Sequence, residues 1–269
     1  MAERAQSKRR FRAAQVRFSA RLRRILWSES CVSCGERDAG DEILCPACAA
    51  AFQRKLAQIC PNCGSPRLEC LCVPPRLADA GCEFLVKLAA YDASQPDCPL
   101  NRMIHRMKHI RDRECAAFLA GMLAGALEKL LCDRGVERSE LIVTFIPRDP
   151  DKILVEGHDQ ARILALALAD RMELECIPLF RRRRGAADQK TLTAEERDIN
   201  VRTLFSLSRE AKKTALDGKT VILVDDLVTT GATSAACVRL LRDAGCLSVY
   251  AAAVAYTPLK PGAFSDERV

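Results

Sequence analysis

Residues 221–233 read VILVDDLVTTGAT, and the order of residue types suits a phosphorylated sugar. Residues 221–224 make a short apolar run of the kind found in buried parallel strands. Asp225 and Asp226 follow at its carboxyl end, where paired carboxylates can accept hydrogen bonds from vicinal ribose hydroxyls. Thr229, Thr230, Gly231, Ala232 and Thr233 then form a turn of small residues leading into a helix. Such a turn aims backbone N–H groups at a phosphate, and the helix N-terminus adds partial positive charge. Threonine hydroxyls supply further donors, and Gly231 permits close approach. A plain β-turn-α connection with a threonine cap is the bland alternative. The joint order of acid pair, threonines and glycine favours a ribose 5-phosphate.

A second constellation is made of cysteine. Of fifteen cysteines, eight lie between residues 31 and 72, as Cys31-x2-Cys34, Cys45-x2-Cys48, Cys60-x2-Cys63 and Cys70-x-Cys72. Glycine follows two of the pairs, as Gly35 and Gly64. A CxxCG knuckle points two thiolates at one metal, and two knuckles close a tetrahedral Zn–S4 site. A segment this short and poor in apolar residues needs such a staple to fold. The favoured arrangement is two structural zincs. Cys31, Cys34, Cys45 and Cys48 hold one, and Cys60, Cys63, Cys70 and Cys72 hold the other. Interleaved pairing and an iron–sulfur cluster are the alternatives. The later cysteines show no metal spacing and read as small core residues. His105 and His109 share a helical spacing but read as a polar helix face.

These residues need a scaffold, and the chain alternates strand-like and helix-like runs. Strands are expected at 84–91, 141–146, 174–177, 221–224 and 247–255. Helices are expected at 113–131, 160–171 and from about 233 to 244, with a helical turn at 194–200. In open α/β sheets ligands bind beyond the carboxyl ends of the strands. Four segments emerge: a basic arm at 1–30, a cysteine-rich zinc-binding module at 31–75, an α/β domain at 76–257 and an irregular tail at 258–269.

Charge and composition narrow the partners. Residues 1–30 carry nine Lys/Arg against two acidic residues, a net +7 that equals that of the whole chain. Such an arm can contact nucleic acid, anionic lipid or an acidic partner, or be a solvated tail. Aromatic residues make up only 5% of the chain, which argues against a base-stacking surface. The longest apolar run, residues 116–127, falls short of the ~20 residues of a membrane span. With no apolar signal region near the start, the chain is expected to be cytoplasmic, without a transmembrane segment.

The 221–233 motif resembles the 5-phosphoribosyl-1-pyrophosphate (PRPP) signature of type I phosphoribosyltransferases. With the cysteine-rich head, residues 31–256 resemble the ComF family of competence-associated, phosphoribosyltransferase-like proteins. Ile146-Pro147, with Gly157 and Gln160 downstream, is similar to that family's strand, loop and GFNQ element. Gln189, Leu192, Arg197, Asn200-Val201 and Phe205 resemble its "PQ..L…..ER..NV..AF" segment, and Ile104-His105 with Lys108 its "LIH.LKY" element.

The resemblance implies a type I phosphoribosyltransferase-like fold: a mainly parallel twisted sheet flanked by helices, with a small N-terminal zinc-binding module. It implies displacement of pyrophosphate from C1 of PRPP, with Mg2+ on the pyrophosphate and catalysis mostly by positioning. The turn 229–233 would hold the 5-phosphate and Asp225 and Asp226 the ribose. The loop after Pro147 would face the pyrophosphate, and residues 181–197 would include a closing loop. Asp225, Asp226 and Lys152 are the catalytic candidates. The implied setting is DNA uptake beside the inner membrane, with single-stranded DNA and competence-machinery proteins as partners of the arm and zinc module.

The loop after Pro147 departs from the family. It reads RDPDKILVEGHDQ, where Lys152 alone keeps a basic residue at a position usually occupied by arginine. Asp149, Asp151 and Glu156 add negative charge where pyrophosphate needs cations. Ribose-phosphate binding is therefore expected more firmly than turnover. A metabolic phosphoribosyltransferase and a non-catalytic PRPP-sensing regulator are the competing roles.

Overall fold

The computed structural model describes residues 30–36, 42–109, 113–183 and 203–258. The chain divides into two compact units, Met1–Ala50 and Ala51–Val269, with the division falling inside helix α1 (Pro46–Leu56). The basic arm before Ser30, the expected helical turn at 194–200 and the tail beyond residue 258 lie outside the described residues.

In the first unit, Cys31 N–H donates to Glu36 O, and Gly35 N–H returns to Cys31 O, both at 2.8 Å. Gly35 adopts φ 79°, the left-handed conformation that closes the knuckle. Val32 N–H donates to Ile43 O at 3.0 Å and brings the segment before α1 alongside. Pro46 then starts α1, where a missing N–H costs nothing.

The second unit is built on a four-stranded, all-parallel sheet. Its strands are β1 (Phe84–Ala90), β2 (Leu141–Phe145), β5 (Thr220–Val228) and β6 (Ser248–Tyr256), in the order β1-β6-β5-β2. Parallel strands covered on both faces read as continuous apolar runs, and β2 (LIVTF) is buried throughout. One face, with Val221, Leu223, Val249, Ala251 and Ala253, joins Leu77, Cys237, Val238 and Leu241 in a single core. These last residues belong to α2 (Pro75–Asp79) and α8 (Ala232–Asp243).

Helices α4 (Arg113–Asp133) and α6 (Gln160–Met172) pack on each other, and α4 also meets β1 and β6 while α6 meets β2 and β5. α6 buries Ala161, Leu164, Ala165, Leu168, Ala169 and Met172, an apolar stripe at helical spacing. Each fully buried leucine there contributes about 2 kcal/mol. By length and composition α4 is the one described helix able to cross a membrane, and half of its apolar window is buried inside the unit. The remaining described elements are α3 (Pro99–His109), α5 (Pro150–Glu156), β3 (Phe180–Arg182), β4 (Phe205–Leu207) and α7 (Arg209–Lys213). β3 and β4 pair antiparallel as a separate two-stranded sheet.

Three expectations need correction. β5 does not stop at Val224. Asp225 pairs with Ala253, Leu227 with Ala255 and Val228 with Tyr256, so the long neighbour β6 holds the acid pair inside the strand. Residues 174–177 form only an isolated bridge, Val143 with Cys176, at the outer edge of β2. The segment after Pro147 is not merely a loop, because it contains α5. Asp149 caps α5 by accepting from Asp151 N–H, Pro150 opens it, and Gly157 closes it at φ 78°.

Candidate functional site

β2 ends at Phe145, opposite Val224, while β5 runs on to Val228. Residues 225–228 therefore overhang β2 and leave a crevice at the carboxyl edge of the sheet. A cavity of about 250 Å3 lies there. It is lined by Pro147, Arg148, Lys152, Arg182, the Asp225–Asp226 pair and Thr233, among others.

Asp225 Oδ1 accepts from Asp226 N–H at 2.9 Å. Burial, then the negative charge of Asp226, pushes the Asp225 carboxyl well above the usual range. Past the strand, Thr229 and Thr230 are exposed and Gly231 is buried. Gly231 sits at φ 75° as the N-cap of α8, and a Cβ there would come 3.4 Å from Leu77 Cβ. Glycine is favoured there because the turn is left-handed, while the space itself would admit a Cβ at van der Waals contact. Among the described residues, one backbone N–H of this turn finds a side-chain acceptor, Ala232 to Thr230 Oγ1 at 3.5 Å. The turn and the start of α8 thus retain donors for an anion.

On the opposite wall, Asp159 ties the loop to α6. Its Oδ2 accepts from Arg148 N–H at 3.0 Å and its Oδ1 from Arg162 N–H at 3.2 Å. Burial raises the Asp159 carboxyl, those two N–H groups oppose the rise, and Asp226 adds to it. The ring nitrogens of His158 lie 2.7 Å from the carbonyl oxygens of Glu156 and Met107, which ties the loop to α3.

The arginines of this wall are already engaged. Arg148 Nη2 donates to Glu156 Oε1 at 2.6 Å, and its Nη1 donates to Gln160 Oε1. Arg182 pairs with Asp149 Oδ2 at 3.4 Å and lies over the Phe205 ring. Lys152 is exposed on α5 and has no carboxylate partner among the described residues.

The cavity thus brings together Asp225, Asp226, Thr233 and Lys152, with Thr229, Thr230, Gly231 and Ala232 in the adjoining turn. Gln189, Leu192, Arg197, Asn200 and Val201 lie outside the described residues. Sequence reading missed Arg148–Glu156, Arg182–Asp149 and the double role of Asp159. The capped helix α5 was legible in Asp149-Pro150 and Gly157. The ion pairs had no local signal.

The eight cysteines form two groups, Cys31/Cys34/Cys45/Cys48 and Cys60/Cys63/Cys70/Cys72, in each of which the sulfurs lie within 4.8 Å of one another. Either group could hold a metal ion. The second knuckle repeats the first, with Gly64 at φ 70° and its N–H on Cys60 O at 2.9 Å. Burial opposes ionisation of Cys31 and Cys60, but backbone N–H groups outweigh it and bring both thiols down to about 6. Burial pushes Cys34 up to about 12. Burial also raises the Cys70 thiol, and the Lys87 charge leads the opposing influences.

Residues 158–263 match the phosphoribosyl transferase domain family. A DNA utilization protein YhgH of Salmonella typhimurium is 30% identical over 219 residues, covering 77% of this chain and 87% of that protein. The competence protein ComFC of Bacillus subtilis is 25% identical over 211 residues, covering 76% of this chain and 80% of that protein. Among solved structures, a glutamine PRPP amidotransferase from Bacillus subtilis in complex with ADP and GMP aligns at 22% identity and a TM-score of 0.34, over 58% of this chain and 27% of that one.

Proposed function

The chain belongs to the ComF family of phosphoribosyltransferase-like proteins, and we propose that it binds PRPP or a related ribose 5-phosphate in a cytoplasmic role tied to DNA uptake or use. The observation that carries this is the overhang of β5. It presents Asp225 and Asp226 to a crevice and runs straight into the left-handed turn at Gly231 and the start of α8. A ribose fits its hydroxyls to the acid pair, and its 5-phosphate meets the turn at 229–233. A Mg2+ ion bound with PRPP would neutralise pyrophosphate charge beside these carboxylates.

Two zincs, one in each cysteine group, are part of the same reading. Four thiolates and no open position make each site structural. The division into arm (1–30), zinc-binding module (31–75), phosphoribosyltransferase-like domain (76–257) and tail (258–269) also belongs to it. The names of the relatives carry the DNA role, and the basic arm suits it.

Turnover is a separate matter. Glu156 and Asp149 pair with the two arginines that line the cavity, leaving Lys152 as the cation of that lining without a carboxylate partner among the described residues. This favours binding with slow or no transfer, as in a PRPP-sensing regulator, over a salvage transferase. Calorimetry with PRPP and Mg2+ tests binding, and pyrophosphate release with a panel of bases tests turnover. No PRPP binding would refute the central assignment, and rapid release with one base would favour the metabolic alternative. Gel shifts with single-stranded DNA at low and high salt test the DNA role, which fails if nothing binds at low salt.

A further inference from the structure

A buried cation pair lies under the second cysteine group. Lys87, in the middle of β1, is 1% exposed, and Arg67 is 5% exposed. Lys87 Nζ donates to Cys70 O at 3.0 Å, Cys72 O at 2.8 Å and Leu85 O at 3.1 Å, so two of its three acceptors belong to cysteines of the group. Arg67, which precedes Cys70 by one short helical turn, donates Nη1 to the Tyr256 hydroxyl. Lys87 Nζ and Arg67 Cζ each stand 5.3 Å from the centroid of the same Tyr256 ring.

Buried charges are normally matched by an opposite charge. Here no carboxylate lies within ion-pair distance of Lys87 or Arg67 among the described residues. Arg67 Nε is buried with no hydrogen-bond acceptor. Carbonyl dipoles and one aromatic ring offset two desolvated cations only in part. Cys70 and Cys72, whose carbonyls Lys87 holds, carry thiols able to supply the missing counter-charge. A divalent metal held by four thiolates is a dianion.

From this the geometry points to Lys87 and Arg67 as the built-in counter-ions of an anionic metal tetrathiolate at Cys60, Cys63, Cys70 and Cys72. Lys87 also positions the ligands, since it grips the carbonyls of Cys70 and Cys72 and so sets the spacing of the short Cys-x-Cys pair. The first group is a natural contrast. In it, Cys34 Sγ lies 3.8 Å from a carboxylate oxygen, Glu36 Oε2. This inference rests on the zinc reading above.

The test is metal release from the zinc-loaded full chain under excess chelator, with Cys34→Ser and Cys63→Ser variants assigning the two phases to their sites. Lys87→Met should speed release from the second site by about tenfold or more, the usual scale for a lost outer-sphere partner, and leave the first unchanged. Lys87→Arg, which keeps the charge, should restore slow release. Arg67→Gln, which leaves β1 intact, should act on the second site alone and in the same direction. It carries the test if Lys87→Met does not fold. Unchanged or unselective release in the folded variants overturns the inference and leaves the zinc reading standing. Wild-type protein without metal in the second group overturns both.

Discussion

Asp225→Asn separates a functional carboxylate from a structural one. The Asp225 carboxyl is pushed up by burial and by Asp226, so its ionised form is disfavoured in the free protein. Asparagine keeps an oxygen to accept the Asp226 N–H and removes the charge. Relief of that repulsion should stabilise the ligand-free protein by about 1 kcal/mol, or roughly 2–4 °C in Tm. The sign with pH follows from the raised carboxyl. The stability that goes with its protonated form is fully present below the ordinary value of 3.8 and is lost as pH rises through the raised value. The wild type should therefore fall behind the variant as pH climbs from about 4 toward neutrality. Binding should move the other way. A ribose hydroxyl donating to a charged carboxylate contributes about 1.5–3 kcal/mol, so PRPP or ribose 5-phosphate affinity should fall roughly 10- to 150-fold. Thermal melts across pH, with calorimetry at neutral pH, read both effects. A variant that is less stable than the wild type yet binds equally well would refute the reasoning.

Gly231→Ala should cost about 1–2 kcal/mol through its positive φ and weaken binding of inorganic phosphate, read by melting and titration. Glu156→Gln keeps the bond to Arg148 but frees its charge. PRPP affinity should rise about fivefold while ribose 5-phosphate affinity stays unchanged in parallel calorimetry. Cys34→Ser should lower the metal content by one zinc per chain in elemental analysis and destabilise the N-terminal unit, because binding there is folding free energy. Chelation under reducing conditions should reproduce that loss.

The fold class was legible because parallel strands buried on both faces are written as unbroken apolar runs, as in Leu141–Phe145. The two cysteine groups were legible for a similar reason. A CxxCG knuckle is local, and its glycine must turn left-handed wherever it occurs. Helix α5 was legible too, in the cap Asp149, Pro150 and Gly157, but the family's loop pattern hid it. The length of β5 was not. Nothing within residues 225–228 demands a strand, and the ladder to β6 imposes one.

From its sequence alone this chain already declared which chemical groups it carries and in what order: an acid pair before a small-residue turn, and thiols at metal spacing. Those features depend on neighbours a few residues apart. What the tertiary structure decided is which charges face one another. Glu156 reaches Arg148 across α5, Asp149 reaches Arg182 on the separate two-stranded sheet, and Lys87 comes to lie under Cys70 and Cys72. Electrostatic partners are chosen by distance in space, and a folded sheet brings together residues that chain order keeps apart.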